Sequence, residues 1–516
     1  MDVEAHTENR SDKLKRWLKD RTHFLLLITL LVAFAVRLYY LFYTNGQALW
    51  WDEAEYMATA KHWAFGVPYD VNIQRPPLFQ LLATILLKIG VTSEFFLKLV
   101  LVVLPSVLLI GIIYLVGREL FNKKVGLIAA FASAFMWSFV FWSTRFQPDF
   151  LSVSFQLLAI FFFWKLFKTN KRSFAIYAGM FIALAFYFKI SALLVPLSLF
   201  IFILVKDGIS FVKNKNYWVA FLSFVISLIP FAFWQYVTFG NPFGFAPSYI
   251  GGTGIGQGWE FGWMAFDFFY AFPKSLFFIL FLFGGAIILM RLGLSADIMF
   301  KQKEKRLDAG LFSFILLLII TIFYVFYIRG TIEDRWVFLM APFIFYFAAE
   351  GLLFIYRYVG KYHKIAAAVV VLALLSFFLY SQIQHTHELI TLKKDSYLPV
   401  KQASLWIKDN SNPGDLVLSN SYTQATAYAE REIIPYPALV KEENSSYSYI
   451  PSQIEMLEGI VEQRMPRYFM VSVFERHPDW TNQWLEENTP RLNPVWADFA
   501  DAAQTQPTLI VYEIRY

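Results

Sequence analysis

Acidic side chains stand among apolar residues at two places in the chain. Asp52 and Glu53 follow a pair of tryptophans, and Asp149 begins a long apolar run. An ionised carboxylate near lipid is costly unless it has a partner or takes part in chemistry. A positioned carboxylate can act as a general base. We therefore predict that Asp52, Glu53 and Asp149 are catalytic, with Asp52 as the base and Glu53 orienting either Asp52 or the acceptor.

Basic side chains also occur beside apolar runs, on the side where the positive-inside rule does not favour them. Each one alone could snorkel towards water or pair with an acid such as Glu333 or Asp334. As a set on one face they predict an anion site, because a phosphate in a low-dielectric cavity requires lysine and arginine. The predicted phosphate-binding residues are Arg75, Arg145, Lys189 and Arg335.

The same acids have structural alternatives. If Glu53 to Phe65 forms a helix on the membrane surface, Asp52 could cap its N-terminus. Asp149 could likewise cap the helix that follows Pro148. For Glu55 we expect a solvated helix face.

Composition places most of the chain in a bilayer. Of 516 residues, 57% are hydrophobic and 16% charged, with a mean hydropathy of +0.48, whereas soluble proteins average roughly 45–50% and about 25%. A cytosolic enzyme, a nucleic-acid binder and a disordered scaffold are excluded. The absence of cysteine excludes disulfides and thiolate chemistry.

Apolar runs long enough to cross a hydrocarbon core of about 30 Å predict about eleven transmembrane helices. The predicted spans are 24–43, 95–117, 125–143, 149–168, 174–188, 191–205, 217–239, 274–292, 311–328, 336–356 and 364–381.

A further apolar run, 77–90, is short and starts at Pro76–Pro77. If it stays on the outer surface, the basic clusters of the connecting loops collect on one side of the membrane, as the positive-inside rule requires. This predicts a cytoplasmic basic arm at 1–23, a transmembrane domain at 24–381 and an outward-facing domain at 382–516.

The outer side then carries a first loop, 44–94, and a glycine-rich loop, 240–272, which we interpret as a lid. Aromatic faces on this side are expected to hold a sugar. The predicted sugar- or acceptor-binding residues are Trp51, Tyr56, Gln74, Tyr249 and Trp259.

Residues 382–516 have the composition of a small soluble α/β domain. The pattern predicts a helix at 398–409, a strand at 416–419, a helix near 451–463 and strands at 467–474 and 508–514.

A divalent cation, Mg²⁺ or Mn²⁺, is an open possibility, although no cofactor is certain. Two carboxylates with phosphate oxygens could complete its shell. The candidate ligands are Asp52, Asp149 and His62; an isolated histidine at such a position is more often only interfacial.

The motif Asp52–Glu53–Ala54–x–Tyr56, followed by Arg75–Pro76–Pro77–Leu78, resembles the GT-C fold glycosyltransferases. The similarity extends over most of 24–381 and is strongest to the protein O-mannosyltransferases and the bacterial aminoarabinose transferases. Further matching segments are Arg118–Phe121, Arg145–Asp149, Asp334–Pro342 and Ala403–Leu418.

The resemblance implies a polytopic α-helical membrane protein with a GT-C-like fold, outer juxtamembrane helices and a small C-terminal α/β domain. It implies transfer of a sugar from a polyprenyl phosphate carrier with inversion at the anomeric carbon. By resemblance, Asp52 matches the catalytic base and Asp149 a second acid. The aminoarabinose transferases carry an acid directly before the basic residue of the Pro-Pro element, where this chain has Gln74.

We thus expect an inverting glycosyltransferase of the cell membrane, using a dolichyl or undecaprenyl phosphate sugar and a hydroxyl acceptor on a protein, glycolipid or glycan. The alternatives are a lipid transporter or flippase, and an inactive relative that binds glycolipid. Acids at the outer rim rather than mid-membrane favour surface chemistry.

Overall fold

The computed structural model describes residues 19–246, 276–295, 305–328, 333–436, 440–441, 447–448, 453–475, 477 and 480–516. These residues form a large bundle of apolar helices and a smaller α/β domain.

The first half of the bundle contains both long helices and short ones. The long helices are α1 (Arg21–Tyr43), α4 (Glu94–Leu120) and α7 (Asp149–Thr169). The shorter helices are α2 (Trp51–Phe65), α3 (Leu78–Lys88), α5 (Lys123–Phe135), α6 (Trp137–Trp142) and α8 (Arg172–Phe186).

The second half continues with apolar helices of 14 to 30 residues. They are α9 (Leu194–Asp207), α10 (Lys215–Phe239), α11 (Leu276–Leu294), α12 (Lys305–Ile322), α13 (Met340–Gly360) and α14 (Lys364–Lys393). A 3-10 turn, Asp334–Val337, precedes α13.

In the described part of the chain, nine helices are long and apolar enough to cross a membrane. They account for nine of the eleven predicted spans; for the span at 191–205, the counted helix is α9 together with the 3-10 turns at its two ends, Ile190–Lys213, 24 residues in all. The other two are α8, which has 15 residues, and the run at 125–143, which breaks at Met136 into α5 and α6. The chain is a multi-pass membrane protein, and how many of the eleven stretches cross stays a prediction.

Helix α3 has 11 residues, about 17 Å of helix, which is shorter than a hydrocarbon core of about 30 Å. Its length agrees with the prediction that 77–90 does not cross. The two prolines before it cannot donate backbone hydrogen bonds, and the N–H of Leu78 donates to the carbonyl of Tyr187 at 3.2 Å. This bond ties the start of α3 to the turn after α8.

Small residues let the late helices pack closely. Gly284 of α11 meets α13 so tightly that a Cβ there would lie 1.9 Å from the carbonyl oxygen of Phe347. Close backbone approach at small residues is the usual way in which membrane helices associate. It fixes α13, and therefore the turn that carries Arg335.

The C-terminal domain is built on a five-stranded sheet with the order β2-β1-β5-β7-β6, in which β2, β1 and β5 are parallel. The strands are β1 (Leu416–Ser419), β2 (Glu432–Pro435), β5 (Tyr468–Ser472), β6 (Leu492–Phe499) and β7 (Pro507–Ile514), with a separate pair β3 (Val440–Lys441) and β4 (Tyr447–Ser448). The helices are α15 (Leu398–Asp409), α16 (Tyr422–Ala429), α17 (Gln453–Arg464) and α18 (Trp480–Glu487).

The predicted α/β pattern is confirmed at α15, β1, β5, β7 and α17. Helix α15 buries Val400, Ala403 and Ile407, the spacing of one helical face. Residues 382–393, at the predicted start of this domain, continue α14 without a break, and the domain boundary at 382 stays a prediction. A helix of 30 residues is about 45 Å long and projects beyond a bilayer core.

The C-terminal domain rests on the loop 44–94 through α16. The ammonium of Lys61 pairs with Glu430 at 2.7 Å, and the hydroxyl of Tyr428 accepts a hydrogen bond from the N–H of Leu49 at 2.8 Å. The rings of Tyr69 and Tyr422 stack with centroids 5.6 Å apart. These contacts hold the domain over the segment that contains Asp52.

The predicted orientation can be tested by cysteine labelling, because the natural chain has no cysteine. Ala503→Cys lies at an exposed site of the C-terminal domain, and Lys361→Cys lies at an exposed site between α13 and α14. In intact cells, a membrane-impermeant maleimide should label Ala503→Cys but leave Lys361→Cys unlabelled until the cells are opened. The opposite pattern would contradict the topology.

Candidate active site

Helix α2 carries two of the predicted catalytic acids inside its first turn. The N-cap is Trp50, and neither it nor Asp52 makes a side-chain capping bond, so the capping interpretation of Asp52 is wrong. Asp149 is the first residue of α7 and Pro148 its N-cap, so the capping interpretation of Asp149 is wrong too. Both carboxylates are turned to cations instead.

Asp52 and Glu55 lie one turn apart on the same face of α2 and share Arg75. The guanidinium of Arg75 donates to Asp52 at 2.5 Å through Nη2 and to Glu55 at 2.6 Å through Nε. Asn72 also donates to Glu55 at 2.6 Å. The side chain of Glu55 is only 6% exposed, so the expectation of a solvated helix face is wrong.

Arg335 links Asp52 to the second predicted acid. Its Nη2 donates to Asp52 at 2.5 Å, and its Nη1 donates to the side-chain oxygen of Gln147 at 2.5 Å. The same Nη1 lies 3.7 Å from Asp149, and Nε pairs with Glu333. One guanidinium, 7% exposed, therefore holds three carboxylates together.

Beside Arg335 lies a small cavity of about 20 Å³, lined by Asp149, Lys189, Arg335, Tyr324 and Trp336 among others. The ammonium of Lys189 pairs with Asp149 in its wall. Lys189 sits in the turn after α8, which the Leu78 to Tyr187 bond ties to α3. Two cations and an acid thus face one chamber next to Asp52.

The charges around Asp52 decide its protonation. Burial raises the pKa of the Asp52 carboxyl, but the guanidinium groups of Arg75 and Arg335 outweigh burial and bring the pKa below its ordinary value. Burial lowers the pKa of Arg75 and of Arg335, but their carboxylate neighbours, together with Tyr56 beside Arg75, raise it above the ordinary value. Asp52 is therefore ionised, and its side chain is 24% exposed and within reach of a substrate.

Glu53 and Arg145 form a separate pair beneath the site. Their side chains are fully buried, and Nε of Arg145 donates to Glu53 at 2.5 Å. The Arg145 guanidinium also lies 3.8 Å from the ring centroid of Trp50. Arg145 therefore anchors the start of α2, and its placement does not support the prediction that it binds phosphate.

The predicted sugar-binding residues are dispersed. Tyr56 is buried, with Arg75 over its ring at 5.4 Å, and it packs edge-on against Phe79. Trp51 is the first residue of α2, and Gln74 lies in the turn before Arg75; both are partly exposed. Tyr249 and Trp259, with most of the glycine-rich loop, lie outside the described residues.

His62 does not join the two acids, Asp52 and Asp149, that were predicted with it as metal ligands. His62 lies ten residues beyond Asp52 along α2, about 15 Å of helix rise, and its Nδ1 bonds to the carbonyl of Val67. Asp52 and Asp149 face arginine and lysine instead. In the described part of the chain no three His, Asp or Glu side chains form a metal-binding group, so these residues fit a metal poorly.

Sequence reasoning missed Glu55, Gln147 and Trp142. The spacing of Asp52 and Glu55 by three residues on a helix would have placed them on one face. Gln147 lies two residues before Asp149 and showed no pattern of its own. The ring of Trp142 lies 4.9 Å from the Arg335 guanidinium, a contact between distant segments that no local pattern reveals.

Comparison with known proteins gives one family match. Residues 74–234 match the family described as dolichyl-phosphate-mannose-protein mannosyltransferase. The segment includes Arg75, Asp149 and Lys189 and begins after Asp52. No curated protein matches the chain.

Solved structures of the same architecture cover nearly all of the chain. ArnT from Cupriavidus metallidurans, bound to undecaprenyl phosphate, superposes with a TM-score of 0.65 at 12% identity over 94% of this chain and 97% of its own. Archaeal oligosaccharyltransferase AglB from Archaeoglobus fulgidus, in complex with an inhibitory peptide and a dolichol-phosphate, gives 0.61 at 14% identity over 97% and 75%.

A third match is arabinofuranosyltransferase AftD from Mycobacteria, with a TM-score of 0.55 at 14% identity over 94% of this chain and 40% of that one. All three are GT-C glycosyltransferases. The chain therefore has the GT-C fold, and the resemblance inferred from the acidic and Pro-Pro motifs is confirmed at that level.

Breaking the buried Glu53–Arg145 pair should destabilise the protein. Glu53→Leu leaves a buried guanidinium without its partner, which costs about 3–5 kcal/mol. The double substitution Glu53→Leu with Arg145→Leu should recover part of the loss, because no lone charge remains buried. Thermal unfolding in detergent measures both.

The matched control is Glu432→Gln, which breaks an exposed pair with Arg464 and should cost no more than about 1 kcal/mol. Equal unfolding temperatures for Glu53→Leu and Glu432→Gln would contradict the anchoring role of the buried pair.

Proposed function

We propose that this protein is an inverting glycosyltransferase that moves a sugar from a polyprenyl phosphate carrier to a hydroxyl acceptor on the outer face of the membrane. One observation carries the proposal. The guanidinium of Arg335 contacts Asp52 on one side and lines the cavity of Asp149 and Lys189 on the other. A base and an anion site are thereby joined through one side chain.

The donor phosphate belongs in the cavity, between Lys189 and Arg335. Both cations are already paired with carboxylates, so an arriving phosphate competes with Asp52 and Asp149 for their N–H groups. Charge-assisted hydrogen bonds from arginine and lysine are the strong contacts that a phosphate makes in proteins. The solved relatives that hold undecaprenyl phosphate or dolichol-phosphate share this fold.

Asp52 takes the proton. The acceptor oxygen attacks the anomeric carbon, the bond from that carbon to the phosphate oxygen breaks, and the lipid phosphate leaves with the electron pair. Once the phosphate engages Arg335, Asp52 loses part of the charge that lowers its pKa, so it becomes a better base when the donor is in place. Because the acceptor oxygen displaces the lipid phosphate in one step, the configuration at the anomeric carbon is inverted.

The other charged residues hold this arrangement. Arg75 remains on Asp52 and fixes its orientation, with Glu55 on the far side of the guanidinium. Asp149 keeps Lys189 and Arg335 turned into the cavity. Glu53 acts on Asp52 only through the anchored start of α2.

We expect the acceptor to approach Asp52 beside the C-terminal domain. That domain covers the outer loop through α16 and stacks Tyr422 on Tyr69, while Asp52 stays partly exposed. The acceptor hydroxyl would belong to a protein, a glycolipid or a glycan. No step of the mechanism passes through a metal, because cations of the chain already surround both acids.

The proposal is tested by incubating the purified protein with a labelled polyprenyl-phosphate sugar and an acceptor extract. Sugar transfer with release of polyprenyl phosphate supports it. Movement of the lipid across vesicles without cleavage would show a transporter instead, and binding without cleavage would show an inactive relative.

Replacing the base should nearly abolish this transfer. Asp52→Asn removes the proton acceptor but keeps the shape, and a general base contributes about 10²- to 10⁴-fold. Turnover of the labelled donor measures the loss. Asp70→Asn, at an exposed site of the same outer loop, should leave turnover unchanged; wild-type turnover in Asp52→Asn would remove Asp52 from the mechanism.

Lys189 should govern donor affinity. Lys189→Gln loses a charged hydrogen bond worth about 1.5–3 kcal/mol, so we expect KM for the donor to rise roughly 10- to 150-fold. Lys189→Arg keeps the charge and should restore much of the affinity.

The matched control is Lys88→Gln, which removes an exposed cation at the end of α3 and should leave KM unchanged. A donor KM for Lys189→Gln equal to that of Lys88→Gln would place the phosphate elsewhere.

A further inference from the structure

One acid close to the site has no part in the mechanism. Asp334 precedes Arg335, yet its carboxylate turns away towards helix α6. Its two oxygens accept from Nε1 of Trp142 at 2.9 and 3.0 Å, and one of them also accepts from the hydroxyl of Ser138. The carboxylate therefore fixes the edge of the indole.

The face of that indole carries Arg335. The Arg335 guanidinium lies 4.9 Å from the ring centroid of Trp142, and Trp50 meets the same ring edge-on at 6.0 Å. Trp50 in turn lies under the buried Arg145. Trp142 is itself buried, so its ring cannot turn without disturbing the contact to Arg335.

The indole can transmit the charge of Asp334. A carboxylate that accepts from an indole N–H polarises the ring and makes its face more negative. A more negative face holds a guanidinium more strongly, because cation–π attraction is electrostatic. The protonation of Asp334 thus changes how firmly Arg335 is held, without a direct contact between the two side chains.

We propose that Asp334 is a positioning residue that determines how strongly the Trp142 ring binds the Arg335 guanidinium, and that the protonation of Asp334 regulates the transfer reaction. The inference rests on the proposed function, because Arg335 is the group that serves both donor phosphate and base. It adds a pH-dependent control to that site.

The direction of the effect follows from the surroundings of Asp334. Burial raises its pKa to about 6, offset in part by the hydrogen bonds from Ser138 and Trp142. The neighbouring Glu333 raises it further, whereas Arg335 lowers it. Above this pKa the carboxylate is charged and Arg335 is held firmly. As the pH falls through about 6, the charge is lost and turnover should fall.

The test is the pH dependence of kcat for the labelled donor in purified full-length protein. We expect the wild type to lose roughly threefold to tenfold as the pH falls through about 6, a change of the size of one partly buried cation–π contact. Asp334→Asn is neutral at every pH. It should show the low-pH rate throughout, with no step.

Two further variants and one control variant distinguish coupling through the Trp142 indole from an effect of packing alone. Trp142→Phe keeps a ring face but has no N–H, so it should also lose the step. Ser138→Ala removes a hydrogen bond that lowers the pKa of Asp334, so its step should remain and move to higher pH. Trp164→Phe, a buried indole far along α7, should keep the wild-type step. A step near pH 6 in Asp334→Asn or Trp142→Phe would overturn the proposal.

A measurement without turnover keeps this inference separate from the proposed function. With nitrogen-15 labelled tryptophan, the indole N–H signal that disappears in Trp142→Phe should titrate with a midpoint near pH 6. The same signal should not titrate in Asp334→Asn. If it titrates as expected but no donor is cleaved, the positioning stands and the proposed reaction falls. If it does not titrate, the coupling is absent.

Discussion

The guanidinium of Arg335 is the group on which the rest of this site depends. It lies between Asp52 and Asp149, whose helices start far apart in the sequence, and it brings them to one cavity. Two carboxylates so close would repel each other and take up protons if no cation stood between them. Because Arg335 is shared, any anion that enters the cavity competes for it with Asp52. Donor binding and base strength are therefore coupled by simple electrostatics.

The surroundings of Arg335 keep that shared group in place. The tight contact of Gly284 with α13 positions the turn before it, and the Trp142 ring supports its face. On the opposite side, the buried Glu53–Arg145 pair anchors the start of α2. The C-terminal domain adds the Tyr428 bond to Leu49. The charged residues of the site are thus held in place partly by an ion pair, Glu53–Arg145, that is fully buried and structural.

The sequence predicted the elements better than it predicted the contacts. Hydropathy and charge placed the apolar helices, and periodicity placed α15 and the strands β1, β5 and β7, because burial imposes a local pattern. Asp52, Asp149, Arg75, Lys189 and Arg335 were recognised because ionised groups beside apolar runs are unusual.

Which of these charged residues form ion pairs with each other could not be predicted from the sequence. No feature of the neighbouring sequence distinguishes Arg145, which is buried in an ion pair with Glu53, from Arg335, which lines the cavity. The burial of Glu55 depends on Arg75, twenty residues away. The capping interpretation of Asp52 is wrong because its carboxylate accepts hydrogen bonds from Arg75 and Arg335 and not from the backbone N–H groups at the start of α2.

The most direct test of the shared guanidinium is a structure of the full-length protein with a polyprenyl phosphate bound. The account predicts that the phosphate lies in the cavity, within hydrogen-bonding distance of Lys189 and Arg335, with Asp52 on the side facing the C-terminal domain. A phosphate bound away from Arg335, with the contact between Arg335 and Asp52 unchanged, would contradict it.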